Sequence, residues 1–192
     1  MLNFVYIALM MFSMFTACQS EHKSVRICTD KYPEQTRSKY ILPYPTGVSY
    51  SVGQGNCTDG SHSDDQNYAY DFDMPIGSVI IASRSGTVTA IEERYMDGNR
   101  IPGQENYLTI QHDDGSVSGY YHLTKNGVLV ELNSYVNQGD TIALSGDTGD
   151  SSEAHLHFEV LECANCNTIP VSFRNTRKHT KGLVENEHYK AL

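Results

Sequence analysis

Residues 153–161 read EAHLHFEVL and place two histidines one position apart inside a largely apolar run. In a β-strand, residues i and i+2 share a face. His155, His157 and Glu159 would then share one face of a strand. The opposite face would carry only apolar side chains, namely Leu156, Phe158 and Val160. The stretch therefore predicts a strand with a buried apolar face and a face able to do chemistry.

Similar strand patterns recur along most of the chain after Gly47. Short runs rich in Val, Ile, Tyr and Thr alternate with turn residues, which is typical of β-strands. Residues 78–93 predict two strands around the turn SRSG, and residues 106–123 predict a hairpin that turns at DDG. VLVEL at 128–132 and DTIALSG at 140–146 predict further strands. No long segment has helical periodicity, so we expect a mainly β protein.

Two segments repeat one pattern. Residues 77–83 (GSVIIAS) and 139–145 (GDTIALS) share G-x-x-I-x-x-S, and each is followed by further glycine. Such an echo is what a duplicated hairpin unit leaves in a sequence. We therefore predict a single barrel-sandwich-like antiparallel β domain built from duplicated hairpin units.

The bulk composition is that of an ordinary globular protein. The chain has 192 residues, of which 39% are hydrophobic and 19% are charged, which suits one domain with modest extensions. The formal net charge of −9 argues against a nucleic-acid groove, which requires a basic face. We expect no nucleic-acid partner and a monomer.

The first twenty residues carry no charged side chain and are mostly apolar. The sequence FTAC resembles a bacterial lipoprotein box, in which small residues such as Thr16 and Ala17 precede a lipidated cysteine. We predict a signal peptide at 1–17, lipidation at Cys18, and a lipid-attached tether and entry segment at 18–45. Plain secretion and an uncleaved anchor are the alternatives. Lipidation would make the protein a membrane-anchored lipoprotein of the cell envelope, facing the periplasm or wall.

Four cysteines remain besides Cys18, and an even number in an exported protein favours disulfides. Three pairings are possible, and we prefer Cys28–Cys57 with Cys163–Cys166. The spacing of CANC at 163–166 also fits a redox motif or half a zinc site. Both alternatives lack their usual context, namely a nearby βαβ pattern or a second C-x-x-C.

Eight histidines are present, and half of them need no catalytic role. His22, His179 and His188 lie in the predicted tether and in residues 174–192, which are polar and predicted to be a C-terminal tail. His112 lies beside a turn and is predicted to be a solvated strand end. The candidates that remain lie within or beside strand-like sequence, and they are His62, His122, His155 and His157.

A catalytic zinc site needs about three His, Asp or Glu ligands and an open position for water. His155 and His157 would present imidazoles from Cα atoms about 6.6 Å apart. Either both bind the metal, or one binds it and its neighbour handles protons. Asp71 and Asp73 share a predicted strand face, so either could supply a carboxylate, and His62 lies in a turn just before them. The sequence thus predicts one Zn²⁺ per chain.

Several motifs occur in an order that resembles a known family. A histidine and an aspartate come early, GYYHL lies in the middle, and HLHFEV comes late. Three flanking segments match as well, namely YAYDFDMPIGSVIIASRSGTV, NYLTIQHDDG and GDTIALSGDTG. Over roughly residues 50–173, the chain resembles the lysostaphin-like (LytM-type) zinc endopeptidases of bacterial cell walls. The resemblance implies a β-barrel of duplicated hairpin units.

The resemblance also implies roles for individual residues. His62, Asp71 and His157 resemble the three metal ligands, and His122 and His155 resemble the pair that orients and deprotonates water. The chain departs from the pattern in two places. His62 and Asp71 are nine positions apart, more than in the best-known members. Glu153-Ala154 replaces the usual Gly-Pro, which adds a negative charge near the expected cleft.

We therefore expect a zinc peptidase domain at 46–173, belonging to an exported metalloendopeptidase that hydrolyses peptide cross-links of peptidoglycan. Its partners would be peptidoglycan peptides and, through the lipid, a membrane. The alternative is a non-catalytic wall-binding relative that activates a cell-wall amidase, although all five site positions are filled here. A carrier domain with a swinging arm would need a modifiable lysine at a tight turn, and TKNG at 124–127 lies elsewhere in the pattern.

Overall fold

The computed structural model describes residues 31–58, 60–63 and 66–192. The predicted signal peptide and Cys18 lie outside these residues. Among the residues described, no helix has the length and apolar character that crossing a membrane requires. One short 3₁₀ helix occupies Gln35–Arg37. The strands are β1 Ser49–Gln54, β2 Tyr70–Asp73, β3 Val79–Ile81, β4 Gly86–Glu92, β5 Tyr107–Gln111, β6 Val117–Tyr121, β7 Leu123–Val128, β8 Tyr135–Val136, β9 Thr141–Ser145, β10 His155–Leu161 and β11 His188–Lys190.

The strands form two antiparallel sheets. Eight strands follow the order β11-β1-β2-β10-β6-β5-β4-β8, and three follow the order β3-β9-β7. Strand β10 lies inside the larger sheet, between β2 and β6. The predicted mainly β, antiparallel fold is therefore confirmed, and the EAHLHFEVL stretch supplies an interior strand.

The predicted alternation along β10 is also confirmed. Its apolar side chains, at positions 156, 158 and 160, are fully buried. The Phe158 ring centroid lies 5.3 Å from that of Tyr120 and 5.8 Å from that of Phe173. Burying a side chain of this size contributes about 1.5–3 kcal/mol. This packing fixes which face of β10 points into the core and leaves the other face free for polar residues.

The two segments that share the G-x-x-I-x-x-S pattern pair with each other. They contain β3 and β9, which are antiparallel, with Val79 opposite Leu144 and Ile80 opposite Ala143. The shared isoleucines, Ile80 and Ile142, are both fully buried. The sequence echo therefore corresponds to equivalent core positions on adjacent strands.

The strand predicted at 128–132 is displaced. The structure instead has β7 at Leu123–Val128, and the following residues are turns. Leu129 and Leu132 are each 53% exposed. Their apolar character suggested a strand, but neither side chain reaches the core. The pairing of β7 with β9 also shifts register between Leu123 and Val128.

The structure differs from the predicted tail at 174–192. Strand β11 pairs with β1, and Tyr189 is only 2% exposed. The Val184 amide donates a hydrogen bond to the Tyr189 hydroxyl, and the Tyr44 hydroxyl donates one to the Tyr189 carbonyl. Because the apolar residues here are few and scattered among polar ones, the local sequence pattern did not predict a strand. Only the distant partner β1 makes one.

The entry segment packs against the domain as well. Tyr40, Leu42 and Tyr44 are buried, and the Gln35 side-chain amide donates hydrogen bonds to the carbonyls of Phe173 and Thr176. The segment between residues 31 and 45 is thus joined to the C-terminal residues. The boundaries of the zinc peptidase domain at 46–173 stay a prediction, and the packed unit extends beyond both.

The predicted Cys163–Cys166 disulfide is present. It lies in the loop that follows β10, where Leu161 pairs with Thr168. Cys57 is also disulfide-bonded. Its preferred partner, Cys28, lies outside the described residues, so the Cys28–Cys57 pairing stays a prediction.

We predict that Tyr189→Ala lowers the free energy of unfolding by about 3 kcal/mol, because it empties a buried aromatic site and leaves the Val184 amide without its acceptor. Urea denaturation followed by circular dichroism measures the change. The matched control is His188→Ala on the same strand. The His188 side chain is exposed, so its removal should change the free energy of unfolding by less than about 0.5 kcal/mol. Equal stability of the two variants would contradict the packed C-terminus.

Candidate metal centre

Three of the predicted site residues converge at one end of the larger sheet. His62, Asp71 and His157 each offer a ligand atom, and these atoms lie within 4.8 Å of one another. Asp71 Oδ1 is 2.9 Å from His157 Nδ1 and 3.2 Å from His62 Nε2. The two imidazole nitrogens are 3.3 Å apart. A set of two imidazoles and one carboxylate is typical of a catalytic zinc site.

Sheet register brings Asp71 and His157 together. The two residues are directly opposite each other on the antiparallel strands β2 and β10. Their side chains point away from the core because Phe72 and Phe158, the next residue on each strand, are fully buried. Cross-strand partners have Cβ atoms about 4.5–5.5 Å apart, which is close enough for the two side chains to meet at one site.

Asp73, the alternative ligand, does not join this group. It lies opposite His155 in the register, and its carboxylate accepts a hydrogen bond from the Ser51 hydroxyl. Asp71 and Asp73 share a strand face, so alternation could not choose between them. The structure brings Asp71 and not Asp73 to the two imidazoles.

His62 reaches the site from the loop between β1 and β2. Its side chain is fully buried. The Nδ1–H group donates a 2.8 Å hydrogen bond to the Gly55 carbonyl. This bond leaves the Nε2 lone pair facing Asp71 and His157, which is how an outer hydrogen bond orients a ligating imidazole. The sequence indicated His62 only through its place in the family-like motif order, because loop residues follow no periodicity.

Asp71 and His157 each shift the pKa of the other. Burial favours the neutral acid, but hydrogen bonds from His157 and His62 hold the pKa of Asp71 well below its usual range. Burial alone would lower the pKa of His157, but the hydrogen bond with Asp71 and the nearby Glu159 raise the pKa to about 10. The metal-free group therefore holds an ion pair, and a cation must displace the proton that the pair shares.

His122 and His155 lie beside the three ligand candidates, with ring centroids 4.5 Å apart. His122 follows β6 directly and has a φ of 62°, a backbone conformation rare outside glycine. Its Nδ1–H group donates a hydrogen bond to the Thr148 carbonyl, 2.6 Å away. The Nδ1–H group of His155 donates to the Glu153 carbonyl, 2.7 Å away. Both rings thus keep Nε2 free.

Burial, followed by the effect of the neighbouring His155, lowers the pKa of His122 to about 4. His122 is therefore a neutral imidazole at neutral pH, with a lone pair on Nε2. His155 Nε2 lies 3.8 Å from Asp71 Oδ1. The pair stands next to the group that could hold the metal, and the Nε2 atom of His122 is unprotonated at neutral pH.

A cleft of about 410 Å³ opens over these residues. Tyr121 lies directly opposite His157 on β6 and contributes to the cleft wall. The remaining lining is mostly polar, with Gln54, Ser61, Gln66, Pro102, Gly103, Glu105, Asp150, Ser151 and Ser152. A chain extended through this cleft would pass the two free imidazoles and the metal candidates together.

Sequence reasoning missed two kinds of group and misjudged one residue. The carbonyls that orient the rings, from Gly55, Thr148 and Glu153, carry no side-chain signal. Tyr121 could have been noticed as the neighbour of His122 in GYYHL. His112, predicted to be solvated, is buried, and its ring bonds to the Ser85 carbonyl and the Ser118 hydroxyl.

Comparison with known proteins adds independent information. The sequence profile described as Peptidase family M23 matches residues 65–171. That range contains Asp71, His122, His155 and His157, and it begins three positions after His62.

Two curated relatives share part of this region. Peptidoglycan DD-endopeptidase ShyA of Vibrio cholerae is 36% identical over 91 residues, covering 47% of this chain and 19% of the relative. Lysostaphin of Staphylococcus staphylolyticus is 33% identical over 142 residues, covering 71% of this chain and 25% of the relative. The chain thus spans a quarter or less of the length of these relatives.

A solved structure shows the same fold. It is the catalytic domain of the prophage-encoded M23 protein EnpA from Enterococcus faecalis, in a point-mutant form. The TM-score is 0.52 at 17% identity, and the alignment covers 67% of this chain and 93% of that domain. At this identity the likeness concerns the fold.

We predict that His62→Ala, Asp71→Asn and His157→Ala each weaken Zn²⁺ binding by more than the roughly 10–100-fold that losing an outer hydrogen bond costs. His155→Ala should retain the affinity, because its ring lies outside the group of three. Competition with a chromophoric chelator measures each affinity, with His188→Ala as the control. Retained affinity in His157→Ala would show that the ligands are assigned wrongly.

Proposed function

The chain belongs to Peptidase family M23, and from this premise we propose that it is an exported zinc metalloendopeptidase hydrolysing peptide cross-links of bacterial peptidoglycan. The observation that carries the proposal is the convergence of His62, Asp71 and His157 beside the pair His122 and His155. Ligand candidates and proton-transfer candidates meet at one cleft, which is the arrangement that metal-assisted hydrolysis requires.

The proposed ligands for one Zn²⁺ are His62 Nε2, Asp71 Oδ1 and His157 Nδ1. The two imidazoles and one carboxylate suit zinc, and the cleft gives water and substrate access to them. A bound zinc ion supplies the chemistry that side chains lack, because it lowers the pKa of water from about 15.7 to about 7 and polarises the carbonyl.

We assign proton transfer to His122 and His155. Each ring donates its Nδ1–H group to a backbone carbonyl, so Nε2 is the atom that can accept a proton from the attacking water. Once protonated, Nε2 can donate a hydrogen bond to the oxygen of the scissile carbonyl or return the proton to the leaving amine. A general base of this kind contributes about 10²–10⁴-fold to the rate.

The substrate class follows from the relatives. The name of the Vibrio cholerae relative describes a peptidoglycan DD-endopeptidase, and we extend the peptidoglycan peptide as substrate to this chain. All five site positions are filled, which supports a catalytic protein over a non-catalytic relative that activates an amidase. We also propose that the enzyme acts as a monomer.

For its location, we propose that a lipid on Cys18 anchors the enzyme in the membrane of the cell envelope. Residues from about Gln35 onward already contact the domain. Only the twelve residues 19–30 separate Cys18 from Lys31, where the first described stretch of chain begins. Even fully extended, the chain from Cys18 to Lys31 spans at most about 45 Å. The enzyme would therefore act close to the membrane surface.

The proposal is tested by digesting purified sacculi and reading the released peptides by mass spectrometry. We expect cleavage of cross-links that a chelator stops and added Zn²⁺ restores. His155→Ala should lose about 10²–10⁴-fold in rate while its metal affinity persists, because only the proton acceptor is removed. His188→Ala serves as the folded, active control.

Two outcomes would contradict this proposal. Chelator-resistant cleavage would exclude metal chemistry, and a near-normal rate in His155→Ala would exclude that residue as a base. If the zinc-loaded protein released no peptide from sacculi of several cross-link types, peptidoglycan would be the wrong substrate.

For the anchor, we predict that Cys18→Ser transfers the protein from the membrane fraction to the soluble fraction of expressing cells, because the thiol that carries the lipid is missing. Immunoblots of sedimented membranes measure the distribution, and metabolic labelling with a palmitate analogue detects the lipid. Cys163→Ser, which removes a disulfide cysteine instead, is the control. Labelling of the Cys18→Ser protein would refute lipidation at this position.

A further inference from the structure

Glu159 is a buried acid for which the mechanism above has no use. It lies two positions after His157 on the polar face of β10, and it is 4% exposed. Its Oε2 atom is 3.6 Å from His157 Nε2. Both atoms are buried, and neither has a hydrogen-bond partner among the residues that the structure describes. Two unsatisfied polar atoms therefore face each other next to the proposed metal ligand.

Such a pair calls for an explanation, because a buried polar atom without a partner costs about 1–3 kcal/mol, and a charged one costs more. The strand next to β10 places Tyr121 beside this pair. Gly119 lies directly opposite it on β6. A Cβ atom on Gly119 would come within 2.5 Å of the Tyr121 ring, so glycine makes room for that ring. Tyr121 in turn packs edge-on against His157 with centroids 5.6 Å apart.

The orientation of His157 differs from that of the other three site histidines. Those three donate Nδ1–H to a backbone carbonyl and present Nε2 to the site. His157 instead presents Nδ1 to Asp71 and turns Nε2 toward Glu159. A lone pair on Nδ1 requires the proton of the neutral ring to sit on Nε2. For this ring, a carboxylate takes the place of the backbone carbonyl.

We propose that Glu159 is a positioning residue that accepts a hydrogen bond from His157 Nε2–H and thereby fixes the tautomer and orientation in which His157 Nδ1 binds the metal. The two atoms must approach by about 0.6 Å to reach ordinary hydrogen-bond distance. The inference rests on the proposed function, since it takes His157 as a zinc ligand. The inference adds Glu159 to the five candidate site residues that the sequence resemblance supplied.

The test compares Glu159→Ala and Glu159→Gln with wild type, using Zn²⁺ alone as the probe. Removing such an outer partner costs about 10–100-fold in metal affinity, so we expect that loss in Glu159→Ala. Glu159→Gln keeps an acceptor oxygen of the same reach without the charge, and it should recover part of the affinity. Glu162→Gln, an exposed acid at the end of the same segment, is the matched control.

A second measurement separates positioning from mere packing. Long-range ¹H–¹⁵N spectra of zinc-loaded protein report which His157 nitrogen carries the proton. We expect Nε2–H in wild type and Glu159→Gln, and exchange broadening or a mixture of tautomers in Glu159→Ala. Thermal unfolding of the metal-free proteins shows whether each variant folds. Glu159→Met removes the acceptor oxygens but fills a similar volume, so it carries the test if the alanine variant does not fold.

The proposal is overturned if folded Glu159→Ala, or Glu159→Met where alanine does not fold, binds Zn²⁺ within twofold of wild type with an unchanged His157 spectrum. Its failure is distinguishable from failure of the proposed function. If wild type binds zinc but leaves sacculi intact, the substrate proposal fails. The role of Glu159 is then still decided by the Zn²⁺ affinities of its variants. If wild type binds no zinc, both proposals fail.

Discussion

The register of β10 between its two neighbours is the constraint on which the rest of the site depends. On one side His157 faces Asp71 of β2, and on the other it faces Tyr121 of β6. Slipping β10 by one residue would turn every polar side chain into the core and every apolar one out of it. The buried Leu156, Phe158 and Val160 make that slip costly. Core packing therefore decides which carboxylate meets which imidazole.

Orientation of the imidazoles is a separate requirement, and the backbone meets most of it. The carbonyls of Gly55, Thr148 and Glu153 each accept one Nδ1–H group, so three rings present a lone pair on Nε2 toward a common cleft. For the fully buried His62 ring, this bond also satisfies a polar group that burial would otherwise leave unpaired. A peptide carbonyl cannot be lost by substitution, so ring orientation depends on where each loop runs rather than on further side chains.

The C-terminal residues support one of those loops. Strand β11 extends the sheet beyond β1, and Gly55, just after the end of β1, lies against Leu183 and Glu185. The Gly55 carbonyl is the acceptor that orients His62. Residues from the predicted tail therefore contact the Gly55 turn, whose carbonyl orients the His62 ring. The strained backbone of His122, at a φ of 62°, is the other place where a loop conformation directs an imidazole.

Much of this could be predicted from sequence, because alternation and motif order are local signals. They gave the strand at 155–161, the hairpin of β5 and β6, and the antiparallel mainly β class, and they supplied the five candidate site residues. What tertiary structure alone decided was the incorporation of β11 and the side of each ring that faces the cleft. It also brought Asp71 to the imidazoles, a residue that motif order indicated but that alternation could not choose over Asp73. Each of these depends on which distant strand or carbonyl lies opposite. Cross-strand register and loop path join residues far apart in the chain, and no periodicity within a short segment encodes them.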